Sequence, residues 1–84
     1  MTEEEIGIVL DFFAKPVVAG IDMTGALTKG DKIRFKGHTT DYEMIVDSMQ
    51  IDNAIVDEAK TGDKVGIKVS DRVRAGDKVL KITQ

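Results

Sequence analysis

The chain has 84 residues and a formal net charge of −3, with 42% hydrophobic and 32% charged residues. This length holds one small domain, and this composition is typical of a folded domain rather than a disordered chain. The absence of cysteine excludes disulfides and zinc–thiolate sites, and the net negative charge argues against wholesale coating by nucleic acid.

Hydrophobic residues recur with period two along most of the chain, which predicts strands with one buried face. Residues 6–13 are hydrophobic on both faces, as in a strand that is covered on both sides. Alternating segments follow at residues 17–23, 32–36, 42–47, 65–69 and 79–82. Residues 51–60 predict a single helical turn, with Asp52 in the position of an N-cap. The prediction for residues 1–84 is therefore one all-β domain of six or seven short strands.

The tripeptide Gly-Asp-Lys precedes a β-branched residue three times. Glycine adopts positive φ without steric cost, and an aspartate side chain accepts hydrogen bonds from nearby backbone N–H groups. The repeated motif therefore predicts the same tight turn before three strands. The predicted structural turn residues are Gly30, Asp31, Gly62, Asp63, Gly76 and Asp77.

The segment Thr28-Lys29-Gly30-Asp31 fits the Asn/Thr-Lys-x-Asp pattern with which GTPases hold guanine. A GTPase also needs a P-loop, whose lysine and hydroxyl side chains hold the phosphates and Mg²⁺. The nearest match, residues 20–27, has both glycines but Ala26 and Leu27 in place of those side chains. We therefore expect no GTP binding and no cofactor.

Candidate catalytic residues are few. His38 is the only histidine, Ser48 and Ser70 are the only serines, and no Gly-x-Ser-x-Gly motif surrounds either serine. Neighbouring carboxylates could bind a hard cation, but those of this chain lack the spacing of a calcium-binding loop. They belong to Asp41, Glu43, Asp52, Asp57 and Glu58. The sequence predicts no catalytic residue and no metal site, and a metal- or carboxylate-based enzyme is the least favoured alternative.

Basic side chains alternate along the predicted strand at residues 32–36 and beyond it. Residues two apart project from the same face, about 6.6–7 Å apart, which is close to the spacing of successive phosphates. The pattern predicts a small RNA-contacting surface, and the alternative is an ordinary solvated strand face. The RNA-binding candidates are Lys32, Arg34, Lys36 and His38, with Lys64 and Lys68 on a second strand.

Several short motifs follow one another in a recognisable order. They include Leu27-x-x-Gly30-Asp31-x-Ile33-x-Phe35-x-Gly37, Ala59-x-x-Gly62-Asp63-x-Val65-Gly66-Ile67-x-Val69 and Val73-Arg74-x-Gly76-Asp77-x-Val79. Over nearly the whole chain this order resembles the second domain of translational GTPases such as elongation factor Tu. It also resembles small stand-alone archaeal elongation-factor-like proteins, and the barrel appended to collagenase-like peptidase-family proteins linked to RNA modification.

The resemblance implies a small closed β-barrel of six or seven strands, of the translation-factor domain 2 type, without the GTPase domain. The leading hypothesis is a non-catalytic binding module that contacts tRNA, the ribosome or an RNA-associated complex. The alternative is a protein-interaction subunit of a separately encoded enzyme, such as a peptidase-family-like RNA-modifying protein, or of a translation factor. No hydrophobic run approaches the ~18 residues of a membrane span, and residues 2–5 are too acidic for a secretory signal. We therefore expect a cytoplasmic protein without membrane partners.

Overall fold

The computed structural model describes residues 2–14 and 17–83. This part of the chain consists of strands and connecting turns, and it contains no helix. The strands in chain order are β1 (Thr2–Ala14), β2 (Val17–Met23), β3 (Leu27–Thr28), β4 (Lys32–Lys36), β5 (Asp41–Ile45), β6 (Met49–Ile51), β7 (Ala54–Val56), β8 (Glu58–Ala59), β9 (Lys64–Lys68) and β10 (Lys78–Thr83). The predicted all-β class is confirmed.

Eight of these strands form one antiparallel sheet, in the order β5-β4-β10-β1-β2-β9-β6-β7, and β3 pairs with β8 separately. The first and last strands, β1 and β10, are neighbours in the middle of the sheet. The sheet ends at β5 and β7, which do not pair with each other. The predicted closed barrel of six or seven strands is therefore wrong, because the sheet stays open and has more strands.

The residues that follow the two end strands form backbone hydrogen bonds with a turn instead of with each other. Val46, after β5, donates its N–H to the C=O of Asp31 and accepts from the N–H of Gly30, both at 2.9 Å. Asp57, after β7, accepts from the N–H of Lys29 at 2.8 Å. The turn that precedes β4 thus fills the gap between the end strands, which explains why the sheet does not close.

The core lies on the inner face of the sheet. On β4 and β9 the alternation predicted from the sequence holds, because every second residue is buried and the residues between them are not. Phe35 is the largest fully buried side chain, and its ring stacks on Tyr42 with centroids 5.2 Å apart. The buried cluster contains Ile6, Val9, Ala19, Ile21, Met23, Leu27, Ile33, Phe35, Val46, Met49, Ala59, Val65, Ile67, Val69, Val73 and Val79.

The three Gly-Asp turns share one backbone geometry. The glycine lies in the left-handed region, with φ of 96° at Gly30, 94° at Gly62 and 95° at Gly76. In each turn the aspartate carboxylate accepts a hydrogen bond, at 2.8–2.9 Å, from the backbone N–H three residues earlier. The N–H of the aspartate donates to the C=O of that same residue at 3.0 Å. This reciprocal pair closes the turn.

Each turn also holds one buried residue from another part of the sheet. The glycine N–H donates to the C=O of that residue, and the residue's N–H donates to the C=O of the aspartate, at 2.7–2.9 Å. The buried residues held in this way are Val46, Met23 and Val9. The turns thus satisfy backbone groups that would otherwise be buried without partners.

The helical turn predicted within residues 51–60 is wrong. Strands β6 and β7 form a hairpin there, in which Ile51 pairs with Ala54. The two residues of the loop, Asp52 and Asn53, have φ of 51° and 66°. Positive φ at both positions defines a type I′ turn, which Asp and Asn tolerate better than other non-glycine residues.

Gly37 lies against a buried carboxylate, and this contact yields a stability prediction. A Cβ at Gly37 would overlap the carboxylate of Asp77, which is 5% exposed and accepts from the N–H of Arg74 at 2.8 Å. We expect Gly37→Ala to lower the free energy of unfolding by about 2 kcal/mol, as measured by urea denaturation. Gly20→Ala is the matched control, because its Cβ would meet no atom closer than 3.6 Å. Equal stability of the two variants would contradict the prediction.

Candidate functional site

The basic row predicted on β4 lies on the outer face of the sheet, where carboxylates accompany it. Lys32 and Lys36 are exposed and Arg34 is half-buried. Nζ of Lys32 lies 3.2 Å from Oε1 of Glu43 on β5. Opposite charges on neighbouring strands are a usual means of stabilising the outer face of a sheet.

Arg34 is held by two carboxylates at once. Its Nε and Nη2 donate to Oδ1 and Oδ2 of Asp41 at 2.7 and 2.8 Å, and its Nη1 donates to Oε2 of Glu3 at 2.9 Å. The hydrogen bonds to Asp41 and Glu3 raise the pKa of Arg34 above its ordinary value, and the bond to Asp41 has the larger effect. The same hydrogen bond from Arg34 lowers the pKa of Asp41. A phosphate group would have to displace both carboxylates to reach this guanidinium.

The surrounding surface has mixed charge. Lys78 lies 3.7 Å from Glu5, and Lys81 lies 3.3 Å from Asp31. The exposed imidazole of His38 borders an open cleft of about 790 Å³ over β1, β10 and β4. The cleft is lined by Glu3, Glu5, Lys36, Gly37, His38, Lys78 and Leu80. Acids and bases alternate across this cleft, so it is not a basic patch.

Lys64 and Lys68 are exposed on β9, on a different part of the sheet. Strands β10, β1 and β2 lie between β4 and β9. At about 4.8 Å per strand, this separates the two groups of lysines by roughly 19 Å along the sheet. RNA contact through the six candidate residues stays a prediction, and both their separation and their ion pairs count against it.

A second region is apolar, and sequence reasoning missed it because residues 6–13 were expected to be covered on both faces. Within the described chain, several large hydrophobic side chains of β1 and β2 remain exposed instead. Ile8 is 38% exposed, Leu10 43%, Phe13 54% and Val17 37%. We call the three side chains of β1 the apolar ridge, and Phe13 pairs with the half-buried Val18 of β2. Val17 pairs with Ala14 and therefore lies on the other face of the two strands.

Beside the apolar ridge lies a row of paired residues that crosses four strands and has two glycines at its centre. Gly20 on β2 pairs directly with Gly66 on β9, and Asp11 and Gln50 flank them on β1 and β6. Two adjoining depressions of about 290 and 220 Å³ share Gly66. We call this row and its depressions the glycine channel. Ridge and channel together offer a partner apolar side chains next to backbone that it can approach closely.

Among the described residues, no three His, Asp or Glu side chains form a group that could hold a metal ion. Burial raises the pKa of Tyr42, whose hydroxyl donates to Sδ of Met44 at 3.7 Å.

No helix capable of crossing a membrane occurs in residues 2–14 or 17–83.

The known proteins to which this chain is similar are named as a protease or a peptidase. No protein-family model matches the chain. An uncharacterized protease of Methanocaldococcus jannaschii is 45% identical over 81 residues, which are 95% of this chain and 20% of the relative. The chain thus spans about a fifth of the length of the curated relative that it matches.

Solved structures of the same fold belong to a Geobacillus thermoleovorans protein named as a U32 peptidase. Its C-terminal domain superposes with a TM-score of 0.89 over 95% of this chain and 93% of that domain, at 18% identity. The selenomethionine variant gives 0.86 over 90% and 96%, also at 18% identity. At this identity the likeness establishes the fold alone.

The predicted kinship with domain 2 of translation factors is wrong, because the relatives are a protease and the C-terminal domain of a U32 peptidase. The motifs behind that prediction centre on the Gly-Asp turns. These residues specify a backbone conformation, and the same conformation serves domains with unrelated functions. The resemblance to domains appended to peptidase-family proteins agrees with the relatives.

The Arg34–Asp41 contact predicts a pH dependence of stability. Because the pKa of Asp41 is lowered in the folded chain, its contribution is present above the unfolded pKa and is lost as the pH falls through the folded pKa. We expect Asp41→Asn to weaken folding at pH 7 and to reduce the loss of stability between pH 5 and pH 2. Urea denaturation across this range checks it, with Asp47→Asn at another exposed aspartate as control. An unchanged pH profile in Asp41→Asn would refute the assignment.

Proposed function

We propose that this chain is a non-catalytic domain that binds the catalytic part of a U32-type peptidase. The observation that carries the proposal is the alignment of nearly the whole chain with only a fifth of a protease. The catalytic machinery of such a protein then belongs to the other four fifths. The domain acts on it as a linked segment or as a separate subunit.

The surface of the domain supports a role in protein binding. Phe13 and Leu10 are about half exposed and lie next to the glycine channel. Large exposed apolar side chains that adjoin a groove are typical of protein contact sites. Gly20 and Gly66 bring no side chain to this surface, and between the side chains of Asp11 and Val18 beside them an apolar side chain of a partner finds room.

The charged side of the domain supports a non-catalytic role. The strongest donor there, Arg34, is engaged by Glu3 and Asp41, and Lys32 is paired with Glu43. A catalytic acid or base needs a proton that a substrate can reach. These ion pairs instead stabilise one side of the sheet and leave the apolar ridge as the distinctive surface.

The proposal predicts a complex that depends on the apolar ridge. We expect the chain to bind the Methanocaldococcus jannaschii relative from which the matched segment has been removed, with one copy of each in sedimentation equilibrium. Loss of a buried Phe or Leu contact is worth 1.5–3 kcal/mol, so Phe13→Lys or Leu10→Lys should each weaken binding roughly 10-fold to 100-fold. Ile45→Lys is the matched control, because Ile45 is 62% exposed on β5 and lies outside both the ridge and the glycine channel.

Two results would overturn the proposal. One is the absence of a complex, and the other is a complex that Phe13→Lys and Ile45→Lys weaken equally. Nuclease treatment distinguishes direct protein binding from the RNA-contacting alternative, because a complex that is bridged by RNA dissociates when the RNA is digested. A complex that resists nuclease and depends on Phe13 supports direct protein binding.

A further inference from the structure

Strand β1 has strands on both sides only near its middle, at Gly7 and Ile8. It pairs with β10 from Thr2 to Ile8 and with β2 from Gly7 to Ala14. Val9 is the last residue bound on the β10 side, where its C=O accepts from Gly76 and its N–H donates to Asp77. Within the described chain, residues 10–14 bond to β2 alone. This half of β1 is therefore a free sheet edge, five residues long, which we call the β1 edge.

The β1 edge differs in its side chains from the other free edges of the sheet. The start of β1, from Thr2 to Glu5, pairs with β10 alone and carries three glutamates. On β5 the exposed side chains of Asp41 and Glu43 form ion pairs with β4, which is a usual protection against further pairing. Strand β7 has only three residues and follows a tight hairpin turn.

The β1 edge presents Leu10 and Phe13. Its one charge, Asp11, lies next to Gly20 in a depression that Lys64 also lines. The register shifts between Val9 and Asp11, and Phe12 to Ala14 beyond this shift carry no charge.

We infer that the β1 edge binds an extended acidic segment of the peptidase-type partner, which adds to the sheet as a further strand. Strand addition supplies backbone hydrogen bonds to groups that are otherwise left to water, while alternate side chains of the segment face Leu10 and Phe13. The identity of the occupant rests on the proposed function. The edge itself, and the chemistry that it selects, rest only on the geometry of β1.

The acidic character of the segment follows from charges beside the β1 edge. The loop that leads to Gly76 passes next to Val9, where the Gly76 N–H to Val9 C=O distance is 2.7 Å. In this loop Val73 is buried while Arg72 and Arg74 on either side of it are exposed. Neither arginine takes part in the ion pairs of the described residues. They leave positive charge at the end of the edge, where a carboxylate complements it.

A synthetic peptide tests this edge without the natural partner. The probe is a ten-residue peptide of alternating valine and glutamate, titrated into the ¹⁵N-labelled full chain while amide hydrogen exchange is followed by NMR. We expect alternate amides of residues 10–14 to exchange at least 10-fold more slowly at saturation, because only the groups that point to the free side gain a partner. Amides of β5 and β7 should be unaffected.

Two control peptides and two variants separate strand addition from simple adhesion. The same peptide N-methylated at alternate residues cannot donate the required hydrogen bonds and should bind at least 10-fold more weakly. A valine–lysine peptide should also bind at least 10-fold more weakly, and the double variant Arg72→Glu, Arg74→Glu should reverse this preference. Lys29→Glu, Lys60→Glu is the matched control, since these exposed lysines follow β3 and β8, which form a separate sheet, and neither lines the depressions beside the edge.

The outcomes distinguish the two proposals. Absence of peptide binding at millimolar concentration, equal binding of the N-methylated peptide, or protection at β5 or β7 would each overturn the inference. A peptide that protects the β1 edge would support it even if the Methanocaldococcus jannaschii relative forms no complex. A complex with that relative that leaves residues 10–14 unprotected would overturn the inference and keep the proposed function.

Discussion

The architecture depends on the backbone hydrogen bonds between the Gly-Asp turns and three buried residues. Val9, Met23 and Val46 are buried, so their N–H and C=O groups need partners inside the protein. Each finds both partners in one turn, at the glycine and the aspartate that follows it. A net contribution of about 1 kcal/mol per hydrogen bond makes six such bonds a large share of the stability of a small domain.

The same turns determine where the sheet stops pairing. The turn at Gly76 takes the place of β10 next to Val9, and the second half of β1 then has no neighbour on that side. The turn at Gly30 occupies the gap between β5 and β7 and keeps the sheet open. The free edge and the open sheet therefore have one cause, which is that turns rather than strands bond to the buried residues.

Charge is arranged so that the two sides of the domain differ. Around Arg34 the acids of β1 and β5 accompany the bases of β4, and a carboxylate oxygen accepts from each of the three nitrogens of the guanidinium. Around Phe13 the surface is largely apolar, and the charges that share its depression are Asp11 and Lys64. The proposed role in binding a partner requires such a division, with one side solvated and the other free for contact.

The sequence by itself determined the strand class, the inward-facing residues of β4 and β9, and the positions of the turns. These features are local, because period-two alternation and the φ of a glycine depend on near neighbours in the chain. The contact of Arg34 with Glu3 could not be predicted from the sequence. Glu3 is 31 residues away, and only the register of β1, β10 and β4 brings the two side chains together. Tertiary structure also decided that the second face of residues 6–13 stays uncovered and that the sheet does not close. Both depend on which distant residues bond to Val9 and Val46, and no local pattern records that choice.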